Sequence, residues 1–78
     1  MKSLATAFVL LNAETGLESE VLKSIRELEE VKEAHMLNGA YDIIALIETP
    51  AMVELKNVIS RKIRRLEKVQ GTITMIVQ

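Results

Sequence analysis

Apolar positions along this chain follow two periods in alternation. From Leu4 to Asn12 nearly every residue is apolar or β-compatible, and the run ends in the turn-forming cluster Asn12-Ala13-Glu14-Thr15-Gly16, so it reads as a first strand. The spacing then becomes helical. Leu17, Val21, Leu22, Ile25 and Leu28 share one face, while Glu18, Glu20, Lys23, Glu27 and Glu30 take the other. Val31–Leu37 reads as a second strand, closed by Asn38-Gly39, a pair that readily takes positive φ and suits a hairpin turn. Tyr41–Glu48 is a third strand. Thr49-Pro50 marks the next helix start, with Thr as N-cap and Pro at the first helical position. In that second helix Met52, Leu55, Ile59, Ile63 and Leu66 face inward, and Arg61, Lys62, Arg64, Arg65 and Lys68 complement the negative end of its dipole. Gly71 breaks the pattern, and Thr72–Val77 is a fourth strand.

The two halves match at an offset of 38. Ala7 falls on Ala45, Val21 on Ile59, Ile25 on Ile63, Leu28-Glu29 on Leu66-Glu67 and Val31 on Val69. A twice-written strand-helix-strand unit with right-handed crossovers folds into a ferredoxin-like βαββαβ domain of the α+β class. Its four-stranded antiparallel sheet carries both helices on one face. Residues 1–78 are accounted for as one domain.

A sheet covered on one face should alternate apolar and polar residues. Strands 1 and 3 do not: Ala5, Ala7, Val9, Leu11 and Leu4, Phe8, Leu10 are all apolar, as are Ile43, Ala45, Ile47 and Ile44, Leu46. Leaving a few hundred Å² of such surface wet forfeits several kcal/mol at ~25 cal/mol per Å². The expected cover is a second copy, giving a sheet-to-sheet homodimer, a dimeric α/β barrel.

Composition narrows the chemistry. In 78 residues there is no Cys and one His, which excludes a disulfide framework, thiolate ligands and thiol nucleophiles. Ten basic against eleven acidic residues give a net charge of −1, so the chain offers no global attraction to nucleic acid or anionic membrane. The apolar runs are too short to cross a bilayer and no signal-peptide pattern opens the chain, which places it in the cytoplasm as an expectation. No cofactor motif or phosphate loop occurs. Met36, Met52 and Met75 read as core fillers. The basic cluster of helix 2, with only Phe8 and Tyr41 as aromatics, is expected to meet the Glu-rich first helix or solvent rather than nucleic acid.

Two segments are candidates for binding. In Asn38-Gly39-Ala40-Tyr41-Asp42, Gly39 offers a backbone N–H, Tyr41 a ring and hydroxyl, and Asp42 a carboxylate suited to an ammonium group. A plain hairpin turn, with Tyr41 packed at the sheet edge and Asp42 capping a turn N–H, accounts for the same residues. Thr72 and Thr74 share one face of strand 4 and could present hydroxyls, although Thr is also an ordinary strand former. His35 reads as a structural rather than catalytic histidine.

The run Ala7-Phe8-Val9-Leu10-Leu11, the stretch Leu28 to Ala34, Asn38-Gly39-Ala40-Tyr41-Asp42 and the ending Thr72 to Val77 together resemble the effector-binding (RAM) domain of the leucine-responsive regulator/AsnC (Lrp/AsnC) family. The resemblance covers essentially the whole chain, and the Gly-x-Tyr-Asp hairpin is its most specific piece. It implies a non-enzymatic amino-acid-sensing and oligomerisation module of transcription regulation. The family's DNA-binding helix-turn-helix would be missing from this chain, so the resemblance implies a free-standing version with no direct nucleic-acid contact. Further implications are a homodimer assembling to an octamer or decamer, a small amino acid bound between dimers, and mixed oligomers with full-length regulators. Carried over by position, Asn38, Gly39, Ala40, Tyr41 and Asp42 would line the pocket with Thr72 and Thr74 near it. Ile73 and Ala40 depart from the polar residues frequent in the family at those positions. Two rivals remain at this point. One is a small ferredoxin-like enzyme of the cofactor-independent oxygenase or isomerase type, recruiting His35, Tyr41 and Asp42 in an enclosed cavity. The other is a purely structural oligomerisation module.

Overall fold

The computed structural model describes residues 4–77. Its elements run β1 (Ala5–Ala13), α1 (Glu18–Arg26), β2 (Val31–Met36), β3 (Ile43–Thr49), α2 (Met52–Val58), a π-helical turn (Ile59–Ile63) and β4 (Val69–Ile76). All neighbouring strands are antiparallel, in the order β2-β3-β1-β4. The α+β, ferredoxin-like architecture expected from the repeat is the one observed.

The repeat also fixes a local two-fold axis. Ala7 pairs with Ile47 and Val9 with Ala45, and the 38-residue offset exchanges these two pairs. Phe8 pairs with Leu46, its own repeat equivalent, so the axis passes through that pair at the centre of the sheet.

Strand alternation divides the side chains between two environments. Ala7, Val9, Leu11, Ile43, Ala45 and Ile47 point under the helices and are fully buried, closed over by Val21 and Ile25 of α1 and by Leu55, Val58, Ile59 and Ile63 of α2 and its π turn. The opposite face of the sheet carries a block of two apolar rows, Leu46-Phe8-Met75 and Ile44-Leu10-Ile73, with no layer over it among the described residues. Both rows are half-buried or exposed.

Several boundaries differ from the sequence reading, each for a local reason. The first helix stops at Arg26, where the Arg26 guanidinium reaches the Ala34 carbonyl of β2 through Nη2 at 2.7 Å and Nε at 3.1 Å, and Leu28 packs from the following turn. Thr49 is not the helix cap. The ladder with Ala5 holds it at the end of β3, its hydroxyl donates to the Ala51 carbonyl at 2.7 Å, and Ala51 is the N-cap, accepting from the Leu55 N–H at 3.1 Å. Pro50 therefore precedes the helix. β3 begins at Ile43 rather than Tyr41, and β4 runs back through Gly71, which pairs with Asn12 beside a bulge in β4 that leaves Gln70 without a partner in the ladder. Met36, Met52 and Met75 are not core fillers: all three are exposed, Met75 on the uncovered face beside Phe8, Met36 on an edge strand and Met52 at the first residue of α2.

The basic cluster meets the acidic first half in two places. Lys62 Nζ lies 2.9 Å from Glu30 Oε2, and Lys68 Nζ 3.1 Å from Glu20 Oε2 on α1. Glu20 raises the Lys68 ammonium pKa, chiefly through this hydrogen bond.

Candidate functional site

The segment between β2 and β3 is a six-residue loop, 37–42, rather than a two-residue Asn-Gly turn. Neither Asn38 nor Gly39 takes positive φ; among the described residues Gly16 alone does, at φ 88°. The loop is closed by its ends, the Leu37 N–H donating to the Asp42 carbonyl at 2.7 Å. Asn38, Gly39 and Ala40 are exposed at the tip and Tyr41 and Asp42 are half-buried at the base.

Asp42 is anchored to β1 twice. Its N–H donates to the Leu11 carbonyl at 3.0 Å, and its Oδ2 accepts from the Ala13 N–H at 2.9 Å. One carboxylate oxygen thus ties the loop base to a strand N–H of β1 rather than capping an N–H of its own turn, and Asp42 as a whole is half-buried.

Thr72 pairs with Leu11, the residue whose carbonyl receives the Asp42 N–H. The loop base and Thr72 therefore flank the same end of β1 from opposite sides, about 10 Å apart by strand spacing. Thr74 sits farther along, opposite Val9, on the helix-facing side of β4. It lines a separate cleft with Lys56, Ile59, Ser60, Arg64 and Ile76. Its Oγ1 is shielded from solvent and has no hydrogen-bond partner. His35 lies exposed on the apolar side of the sheet, its Nε2 3.2 Å from Glu33 Oε1, beside Phe8, Ile44 and Leu46. Nothing brings His35, Tyr41 and Asp42 into one enclosed cavity, since the space between sheet and helices is filled by the buried aliphatic residues.

The sequence reading passed over the grouping of Lys56, Ser60 and Arg64. Their four-residue spacing was visible, but the strand they face was not.

A four-stranded antiparallel sheet with two helices on one face, a bare apolar opposite face and an exposed loop at one end define a small α+β domain of ferredoxin-like fold. The model of the Lrp/AsnC ligand binding domain matches residues 6–78, and the chain belongs to that family. It is 35% identical over 71 residues to the HTH-type transcriptional regulator FL11 of Pyrococcus furiosus, a match covering 91% of this chain and 46% of that protein. The chain thus spans about half the length of the curated regulator. Among solved structures it superposes on FFRP-DM1 with a TM-score of 0.92 at 39% identity, covering 95% of this chain and 99% of that one. On AsnC of E. coli the TM-score is 0.86 at 26% identity, covering 94% of this chain and 50% of that one. The named relatives are transcription regulators, so this is a domain of a regulatory, non-enzymatic family. No helix among the described residues is long and apolar enough to cross a membrane.

Proposed function

We propose that the chain senses an amino acid or a closely related metabolite at a contact between dimers, and that binding shifts its assembly or its choice among regulators of the same family. The observation that carries this reading is the pair of bare apolar rows, Leu46-Phe8-Met75 and Ile44-Leu10-Ile73, which a second sheet would cover. With the sheets face to face, loop 37–42 is left at the rim, where a neighbouring dimer would complete a pocket.

A zwitterion needs backbone donors for its carboxylate and an acceptor for its ammonium, held where water is excluded. The exposed backbone of Asn38, Gly39 and Ala40 supplies donors, the half-buried Tyr41 a wall, and the Asp42 carboxylate the acceptor. Thr72 contributes from the far side of β1. The choice of amino acids as ligand class draws support from a fold neighbour, NMB0573 of Neisseria meningitidis, whose structure is of an L-Met complex; at 18% identity and a TM-score of 0.83 it shares the fold.

Thermal unfolding and light scattering with each of the twenty amino acids test the proposal. A cognate ligand at ~100 times its dissociation constant adds roughly 2.7 kcal/mol. It also changes the particle mass, because a ligand shifts an assembly only by its differential affinity for the two states. If no amino acid raises the melting temperature or alters the mass, the domain is a structural oligomerisation module.

A further inference from the structure

The two edges of the sheet are finished differently. At the β2 edge the Arg26 guanidinium occupies the Ala34 carbonyl with two hydrogen bonds, the ladder with β3 is interrupted between Val31 and Glu33, and Lys32 and Glu33 put charge on a strand of six residues. Such devices keep an edge strand from pairing with another chain. β4 has none of them. Its eight residues, Val69–Ile76, carry no charge and no proline, and most are β-branched.

The ladder defines which groups of β4 are free. The Val77 N–H donates to the Thr6 carbonyl at 2.9 Å, so by alternation the backbone groups of Val77, Met75 and Ile73 turn towards β1 and those of Thr72, Thr74 and Ile76 turn outward. Among the described residues no strand lies beyond β4, and no turn, loop or side-chain hydrogen bond reaches those three. They also border a groove. Between β4 and the helical layer of α2 and its π turn is a cleft of about 330 Å³, lined by Ile59 and Ile76 with Lys56 and Arg64, and next to it a depression of about 270 Å³ is lined by Arg64, Gly71 and Thr72. A strand laid along β4 would send alternate side chains, roughly 7 Å apart, to this side of the sheet. Among the described residues, the charged ones that line the two spaces are Lys56 and Arg64, so the groove is cationic on a chain of net charge −1.

We propose that the β4 edge is a docking site for an extended acidic segment of another protein, which adds as a fifth strand with its carboxylates directed at Lys56 and Arg64. Main-chain hydrogen bonds to Thr72, Thr74 and Ile76 supply the affinity, and the two cations select the side chains. A second copy fits less well: its β4 would set another Lys56 and Arg64 against the first pair, and its β2 is blunted. Stacking of two sheets face to face covers the apolar rows and leaves strand edges unpaired, so the site stands apart from the dimer contact and from loop 37–42.

The test titrates the full chain, at constant ionic strength, with a blocked hexapeptide of alternating valine and glutamate, following amide resonances and amide exchange. Saturable shifts and slowed exchange are expected at Thr72, Thr74 and Ile76. Two versions of the peptide, N-methylated on the glutamates or on the valines, keep the charge but each lose one row of donors. Only one row faces β4, so their affinities should differ by about tenfold or more. A valine–lysine peptide and the Arg64→Gln variant should each weaken binding about fivefold, while Arg61→Gln, which removes an exposed cation from outside the groove, should leave it within about twofold. Shifts that never saturate, equal affinity of the two methylated peptides, or equal loss in Arg61→Gln and Arg64→Gln would overturn the site in favour of diffuse charge attraction. Protection of the three amides that appears without peptide and grows with protein concentration would make a second copy the occupant, and overturn the proposal equally.

Discussion

The carboxylate of Asp42 accepts the backbone N–H of Ala13 at 2.9 Å across 29 residues of sequence. β3 begins at Ile43, opposite Leu11, so no β3 strand residue lies opposite Ala13. The Asp42 side chain takes the place of the missing strand. Asp42→Ala leaves the half-buried N–H unpaired and should lower the unfolding free energy by about 1–3 kcal/mol. Asp42→Asn keeps a carbonyl acceptor and should lose less than half of that. Urea unfolding at fixed protein concentration compares them, and equal losses would assign the effect to charge instead of the bond. The Asn variant is also the informative one for ligand response. If Asp42 receives an ammonium group, Asp42→Asn abolishes the ligand-induced melting shift while the protein remains folded.

Gly16 and Gly39 exchange the roles their neighbours in sequence suggest. Gly16 sits at φ 88° with open space where a Cβ would project, so Gly16→Ala meets no neighbour and the left-handed backbone alone destabilises it, by about 1–2 kcal/mol. Gly39 has ordinary φ and equally open space. Gly39→Ala should therefore change stability by less than about 0.5 kcal/mol. Thermal melts of the two variants check the contrast. A ligand response lost in Gly39→Ala would then report on backbone approach at the loop tip, because the fold is untouched.

Phe8 and Leu46 lie on the local two-fold axis in the middle of the bare sheet face. If that face is the dimer interface, a charge there meets its most desolvated point. Phe8→Glu should convert the dimer to a particle of the 8.7 kDa chain mass in light scattering and make it much less stable, as burial of an unpaired charge requires. Val53→Glu, on exposed α2 surface, is the control and should leave the mass unchanged. A wild-type chain that is already monomeric and folded at micromolar concentration would end the sheet-to-sheet reading.

How much of this was legible in the sequence depends on whether contact is local. The offset of 38 identified Ala7, Ala45, Val21, Ile59, Ile25 and Ile63, and every one is buried, because both halves place the same positions under a helix. The two strands that are apolar on both sides, β1 and β3, are the central pair of the sheet, an order that the sequence reading had not assigned. The methionines could not be sorted, since Met36, Met52 and Met75 differ from core residues only in which face or strand end they occupy. Thr49 misled, and the Asp42 anchor went unseen, for the same reason: the ladder partner Ala5 and the donor N–H of Ala13 are both far off in sequence. The cleft of Lys56, Arg64 and Thr74 depends on a π turn, which shifts helical register and which residue spacing does not announce.

Lys62 and Glu30 supply a last prediction, in which the direction of the pH effect is fixed. The Lys62 ammonium, hydrogen-bonded to Glu30 Oε2, is the main cause that lowers the Glu30 pKa, with a backbone N–H contributing and partial burial opposing. A lowered folded pKa means the folded chain binds the Glu30 proton less readily than the unfolded one. The stabilisation is thus complete above the unfolded glutamate value of about 4.3 and is lost as pH falls through the lower folded value. Nearly half of the Lys62 side chain is exposed, so solvent screening holds the pair to less than about 1 kcal/mol near neutrality. In Lys62→Met the Glu30 midpoint, read by carboxyl-detected NMR, should move upward, since the opposing burial persists. The stability gap between wild type and Lys62→Met should close as the pH is lowered to about 3. A gap that stays constant over that range would mean that Lys62 stabilises the turn between α1 and β2 through the packing of its methylenes and not through its charge.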